Sequence, residues 1–222
     1  LPVTFSLAIG AIVMWLALGI GLGILAARFR GRIVDRLSTI FVLIGTSLPT
    51  FLTGLLLLVF VVIRWGLIPF PSGNYTSFFE NPFEWAQILF LPWLTLAFAY
   101  AALYTRFVRS SVIDTSNEDY IRTARAKGLS EGVILGKHTL RAALAPIATM
   151  AGLDFAGLLG GAILTESVFN LPGLGRLAIS AVTKYDLPII VATTLLAAFI
   201  VVVMNLIVDI LYAYIDPRVR VA

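Results

Sequence analysis

Leu1 to Ala27 and Leu37 to Ile63 each run for 27 residues without one charged side chain. A hydrocarbon core about 30 Å thick is crossed by about 20 apolar residues in a helix, the geometry that satisfies each backbone N–H and C=O within its own segment. Trp85 to Thr105 and Leu187 to Val208 are equally free of charge, and Ala142 to Thr165 is long enough but carries Asp154. The chain is therefore expected to be an all-α integral membrane protein with five spans in a single domain, residues 1–222. The composition agrees: 59% of residues are hydrophobic and 13% charged, against about 25% charged in soluble domains.

Basic residues between the spans set the orientation, because Lys and Arg accumulate in cytoplasmic loops. One side receives Arg28, Arg30, Arg32, Arg36, Arg106, Arg109, Arg122, Arg125, Lys127, Lys137, Arg141, Arg218 and Arg220; the other receives Arg64, Arg176 and Lys184. Thirteen against three places this chain's N-terminus outside and its C-terminus in the cytoplasm. The net charge of +4 does not point to nucleic acid, because the basic residues sit between apolar runs rather than in aromatic-laced surface patches. The first apolar run also lacks the basic leader and cleavage site of a signal peptide.

On the outer side, residues 66–82 hold Pro69, Pro71, Gly73, Asn81 and Pro82 among Trp65, Phe70, Tyr75, Phe78 and Phe79, a turn-rich stretch whose aromatics suit the headgroup region. Residues 166–186 contain Pro172-Gly173-Leu174-Gly175 and then a short amphipathic stretch around Leu177, Ile179 and Val182. They are expected to form an external re-entrant or interfacial segment, too short to span.

The longest charged loop, residues 106–141, reads as a cytoplasmic docking element. Thr115-Ser116-Asn117-Glu118 has the spacing of a capping box, so a helix is expected to start there. Tyr120, Ile121, Ala124 and Gly128 recur at three- and four-residue spacing, giving one face of apolar and small residues. Arg122, Arg125 and Lys127 crowd toward the C-terminal end, where they complement the helix dipole, and Gly128 is the expected stop. Ser130 is expected to cap a second short helix through about Leu140.

This segment, DYIRTARAKGLSEGVILGKHTLRAALAP, resembles the ATPase-docking "EAA" loop of ABC importer permeases, in the form found in B-type subunits of dipeptide and oligopeptide permeases. Arg122-Thr123-Ala124 stands where the general loop has Glu-Ala-Ala, Gly128 matches its glycine, and Arg141 falls on its later proline, with Pro146 further on. LPVTFSLAIGA at Leu1, GTSLPTFLTGLLL at Gly45, ILTESVFNLPGLGRL at Ile163 and NLIVDILYAYIDPRVR at Asn205 extend the likeness over essentially the whole chain. Two departures are that Ala142 sits where the subfamily commonly has Asn, and that the chain begins where such proteins reach their second span. A sixth, N-terminal span and an external segment are therefore expected to precede it.

The resemblance implies a type I ABC importer transmembrane domain in a prokaryotic cytoplasmic (inner) membrane, surrounded by lipid. The implied partners are a second homologous permease, two cytoplasmic ATPases that bind ATP and Mg, and an extracytoplasmic substrate-binding protein. It also implies that Asp119, Tyr120, Arg122, Thr123, Ala124, Arg125, Lys127, Gly128 and Leu129 dock an ATPase. The cargo would be di- or oligopeptides; nickel chelates, glutathione and oligosaccharides are the alternatives within the same machinery.

No cofactor site is expected in the chain itself, and no catalytic set is visible. His138 is the only histidine and there is no cysteine. Gly136-Lys137-His138 lacks the earlier glycine, the following Ser or Thr and the strand of a phosphate-binding loop. Ser47 is followed by Leu48 rather than by the glycine of a rhomboid-like serine site, and Asp154 and Asp186 are expected at different depths, which disfavours an aspartyl dyad. These absences weigh against an intramembrane enzyme, and a stand-alone channel has no use for a docking loop.

Asp154 lies near the middle of a span, where a lipid-facing carboxylate costs on the order of 3 kcal/mol. It is a candidate for lining the pathway, or else a buried group satisfied by a hydroxyl or amide of a neighbouring helix. Glu166, at the outer edge, is a candidate contact for the binding protein. Asn205 and Asp209 share a helix face suited to an interhelical hydrogen bond. Gly19, Gly21 and Gly23, and then Gly152, Gly157, Gly160 and Gly161, allow close backbone approach either within the subunit or between subunits.

Overall fold

The computed structural model describes residues 1–67, 75–160 and 162–215, with the side chains of all but 145, 209 and 211–215. Pro69, Phe70, Pro71 and Gly73 of the outer loop, Gly161, the Asp209 side chain, Arg218 and Arg220 lie outside the described residues. Among those described, every regular element is a helix.

α1 (Pro2–Arg28) starts on a proline at its first turn, where the missing N–H has no intrahelical partner to lose. α2 (Ile33–Ser47) and α3 (Thr50–Leu57, continued by a π-helical stretch, Leu58–Arg64) are bent 104° apart. Leu37 to Ile63, expected as one span, is therefore broken in the middle. The cause is local: Leu48 precedes Pro49 and adopts extended backbone, φ −86° and ψ 124°, as the proline ring demands of its neighbour.

α4 (Pro82–Ser116) begins where the Asn81 side chain accepts from the N–H groups of Phe83 and Glu84, with Pro82 at the first helical position. Two short helices follow: α5 (Asp119–Ala126), then α6 (Glu131–Val133), which widens into a π-helical stretch, Ile134–Thr139, and re-forms as α7 (Leu140–Ala143). α8 (Ala145–Leu159), α9 (Ile163–Val168), α10 (Leu174–Thr183) and α11 (Leu187–Ile215) complete the chain. The expected span Ala142 to Thr165 is thus divided: a 47° bend precedes α8, near Pro146, and the helix stops again before α9. Three described helices are long and apolar enough to cross a membrane, and five are reached if each bent pair is one span.

The centre of the molecule is the parallel pair α1 and α4, whose contacts advance together from Ser6–Trp93 through Trp15–Tyr100 to Gly23–Val108. Leu7, Ala11 and Trp15 of α1 and Ala97, Ala101, Tyr104 and Val108 of α4 are fully buried. Gly19 and Gly23, one helical turn apart, set how closely the pair approaches. A β-carbon on Gly19 would sit 2.6 Å from the Tyr104 Cβ, and one on Gly23 2.6 Å from the Val108 Cβ. These glycines serve packing within the subunit, whereas Gly21 and Gly157 have nothing within 4 Å. Gly152 packs on Val208 of α11.

α5, α9 and α10 end in the same way, with a left-handed residue after the C-cap and paired return hydrogen bonds to the last turn, the Schellman arrangement. The left-handed residues are Gly128 (φ 77°), Asn170 (φ 55°) and Tyr185 (φ 56°). These stops turn the chain sharply between short helices and so shape both ends of the molecule.

Candidate functional site

The candidate docking element, residues 106–141, runs from the C-terminal part of α4 through α5, α6 and the π-helical stretch into α7. Residues 106–116, expected to belong to the loop, instead continue α4 to Ser116. The expected capping box does not form, because Thr115 and Ser116 remain in the last turn of α4, where the Ser116 hydroxyl donates to the Val112 carbonyl. The α5 N-cap is Glu118, extended at φ −64° and ψ 149° with no side-chain cap bond. Ser130 stands at the N-cap of α6 as expected, again without a side-chain bond.

The turn between α5 and α6 is closed by two backbone hydrogen bonds. Gly128 N–H donates to the Arg125 carbonyl at 2.9 Å and Leu129 N–H to the Ala124 carbonyl at 3.4 Å, while Gly128 takes the left-handed conformation expected of it. Ile121 and Ala124 of α5 are buried against Ile134, a small core separate from the membrane bundle. Arg125 Nε then bonds Glu131 Oε1 at 2.7 Å across the turn. That contact holds Glu131 below the ordinary carboxylate range and raises Arg125, the shared hydrogen bond being the largest cause in both. Both side chains are exposed, so the pair adds little stability by itself while spanning the turn between the two helices.

The structure places the nine candidate docking residues unequally. Ala124 faces the small core, whereas Asp119, Tyr120, Arg122, Thr123, Arg125, Lys127, Gly128 and Leu129 are exposed. Tyr120 is thus not part of one face with Ile121 and Ala124: it points away from Ile134 and lines an open groove with Glu118, Lys137, His138 and Arg141. No side chain approaches the place where a Gly128 β-carbon would stand.

Within the bundle, Tyr104 Oη donates to Asp154 Oδ2 at 2.6 Å, joining α4 to α8. Asp154 is half-buried, and Trp15 stacks on Tyr100 with ring centroids 4.6 Å apart one turn from Tyr104. The hydroxyl partner considered from the sequence is therefore present, while the partial exposure leaves room for a second polar contact.

Glu166 does not occupy an exposed outer edge. It is fully buried: Thr4 Oγ1 donates to Oε1 at 2.8 Å and the Arg176 backbone N–H to Oε2 at 3.0 Å. Thr4 Oγ1 also accepts from the Leu174 N–H at 3.0 Å. Two of the orphan N–H groups at the start of α10 are thus satisfied by side chains from α1 and α9, and a carboxylate there is further favoured by the helix dipole. Glu166 therefore presents nothing to an outside partner, and it ties the outer segment to the beginning of α1.

Asp35 was not marked by the sequence. Arg109 holds it through Nε to Oδ1 at 2.6 Å and Nη2 to Oδ2 at 2.9 Å, and the Gly31 N–H adds a third bond at 2.9 Å. One acidic residue among four arginines was the available signal, but a partner 74 positions away could not be read from spacing.

The chain is an all-helical membrane bundle with two bent spans and a helix–turn–helix set between α4 and α8. Residues 19–221 match the family of binding-protein-dependent transport system inner membrane components, and the chain belongs to that family. It is a multi-pass inner-membrane permease subunit of an ABC importer. Similar proteins include a probable peptide ABC transporter permease of Sinorhizobium fredii, 41% identical over 98% of this chain and 69% of the relative. A putative peptide transport system permease of Brucella abortus is 40% identical over 99% and 69%. The glutathione transport system permease GsiC of Escherichia coli is 43% identical over 98% and 68%. In fold, the chain is similar to an inward-facing structure of the MetNI methionine ABC transporter, with TM-score 0.72 and 18% identity over 96% of this chain and 93% of the other.

Proposed function

We propose that the subunit forms half of a translocation pathway for di- or oligopeptides and is driven by ATP hydrolysis on partner subunits. It carries out no catalysis itself. A second homologous permease supplies the other half, two cytoplasmic ATPases bind ATP and Mg, and an extracytoplasmic binding protein delivers cargo. The outer ends of α1 and α4 face that binding protein, and the docking element faces the cytoplasm.

The observation that supports this reading is the α5–Gly128–α6 unit. It has its own small core, a hydrogen-bonded turn at Gly128 and an exposed rim of Tyr120, Arg122, Lys127 and Leu129. A connecting loop has no need of such a unit, whereas a surface that receives force from another protein does. The peptide cargo rests on the names of the relatives, and glutathione, itself a short peptide, is the second reading on the same ground.

The test is ATPase activity of the purified complex with its binding protein, titrated with peptides of different length, glutathione and nickel chelates. Stimulation by peptides of several sequences supports the general peptide reading. Stimulation confined to glutathione or to a chelate replaces it.

A further inference from the structure

The α1–α2 turn carries Arg28, Arg30, Arg32 and Arg36, all exposed. Its one carboxylate, Asp35, is already held by Arg109 and the Gly31 N–H. None of the four guanidinium groups has an ion-pair partner among the described residues; Arg28 and Arg32 lie 5.7 and 6.0 Å from the Phe29 ring centre. Between this turn and the docking element is a cleft of about 260 Å³, lined in part by Arg28, Arg30, Ser116, Asn117, Arg125 and Glu131. Glu131 is occupied by Arg125, so three guanidinium groups border the cleft against one carboxylate that is already paired. On α2, immediately beyond the arginines, Ile33, Leu37 and Ile40 are 72%, 60% and 51% exposed.

We infer that this cleft binds the headgroup of an anionic phospholipid of the cytoplasmic leaflet. Arginines clustered where a membrane helix leaves the bilayer attract anionic lipid, each contributing in proportion to its closeness to the surface. The exposed aliphatic side chains beside them select a lipid over a soluble anion, because acyl chains cover Ile33, Leu37 and Ile40 while the phosphate meets Arg28 and Arg30. A soluble ATPase would leave that apolar strip uncovered. The bound headgroup also sits against Arg125, which pairs with Glu131 across the α5–α6 turn, so membrane composition bears on the docking element. This last step rests on the docking proposal; lipid binding itself does not.

The experiment uses the complete importer complex in nanodiscs of phosphatidylcholine alone or with phosphatidylglycerol. Native mass spectrometry counts the retained phosphatidylglycerol, and ATP hydrolysis is followed in parallel. The parent should retain phosphatidylglycerol, and Arg28→Gln/Arg30→Gln should retain on the order of tenfold less, with Arg64→Gln behaving as the parent. Equal retention by parent and double variant overturns the proposal. Displacement of the lipid by millimolar inorganic phosphate would make this a soluble-anion site and overturns it too. Loss of ATPase copurification by the double variant, equal in both kinds of disc, would assign the arginines to the ATPase instead. Gly128→Val tests docking separately, since it should impair coupling while leaving lipid retention unchanged.

Discussion

Tyr104 and Asp154, fifty residues apart in sequence, meet in a 2.6 Å hydrogen bond that joins α4 to α8 inside the bundle. Interhelical hydrogen bonds in membranes average about 0.6 kcal/mol and reach about 1.7, too little for this one to hold the bundle together. Asp154→Asn keeps an acceptor for the Tyr104 hydroxyl and should leave assembly intact while changing transport rate or cargo preference, measured by uptake in proteoliposomes. Tyr104→Phe should lower the melting temperature slightly. If Asp154→Asn transports every cargo like the parent while Asp154→Leu fails to assemble, Asp154 has no part in the pathway.

Gly128 at φ 77° completes the return bonds to Arg125 and Ala124. A β-branched residue there strains the backbone by about 1–2 kcal/mol, and with nothing within 4 Å of its β-carbon the cost comes from the turn alone. Gly128→Val should insert and pair normally but couple poorly to the ATPases, read as lost stimulation by the loaded binding protein. Gly128→Asn should be milder, since Asn tolerates the left-handed region. Full stimulation in the valine variant would reduce the element to a solvated loop.

Gly23→Ala places a methyl 2.6 Å from the Val108 Cβ, while Gly21→Ala meets nothing within 4 Å. The first should destabilise the subunit by about 1–3 kcal/mol through overpacking of α1 on α4, and the second should be close to neutral. Thermal unfolding in detergent separates them, and equal melting temperatures would mean that the helices are not so closely apposed.

Glu166→Gln keeps the shape of the group that meets Thr4 and the Arg176 N–H but removes its charge. With burial complete and two donors supplied, the loss should be about 1–2 kcal/mol. Glu166→Ala should cost more and expose 166–186 to protease from the outer side. Protease sensitivity unchanged in the alanine variant would sever the link between this carboxylate and the outer segment.

The orientation is open to a direct check, because the chain has no native cysteine. Cysteine at Glu80 should react with an impermeant maleimide in intact cells, and cysteine at Ser130 only after permeabilisation. The opposite pattern would invert the topology and remove the docking proposal with it.

The spans were legible because charge-free runs of this length have few other fates, and Gly128 because helix stops depend on the residue itself. The bend at Leu48–Pro49 was visible as a dipeptide but was overridden by the length of its apolar surroundings. Thr115 to Glu118 matched a cap by spacing, yet α4 runs through Ser116 and leaves no free helix start for the pattern to serve. The side-chain partners of Glu166, Asp35 and Asp154 (Thr4, Arg109 and Tyr104) lie 50 to 162 positions away, and pairing at that separation follows from packing rather than from any local pattern.

α4 is one helix of 35 residues, about 52 Å long, well beyond the thickness of the hydrocarbon it crosses. Its sole internal proline is Pro92, which deletes one rung of the hydrogen-bond ladder. Below that point, α4 is a stiff lever whose cytoplasmic tip adjoins α5. A tilt applied at Ser116 and pivoting at Pro92 would carry Tyr104, midway along the lever, about half as far, and would pass to α8 through the Tyr104–Asp154 bond.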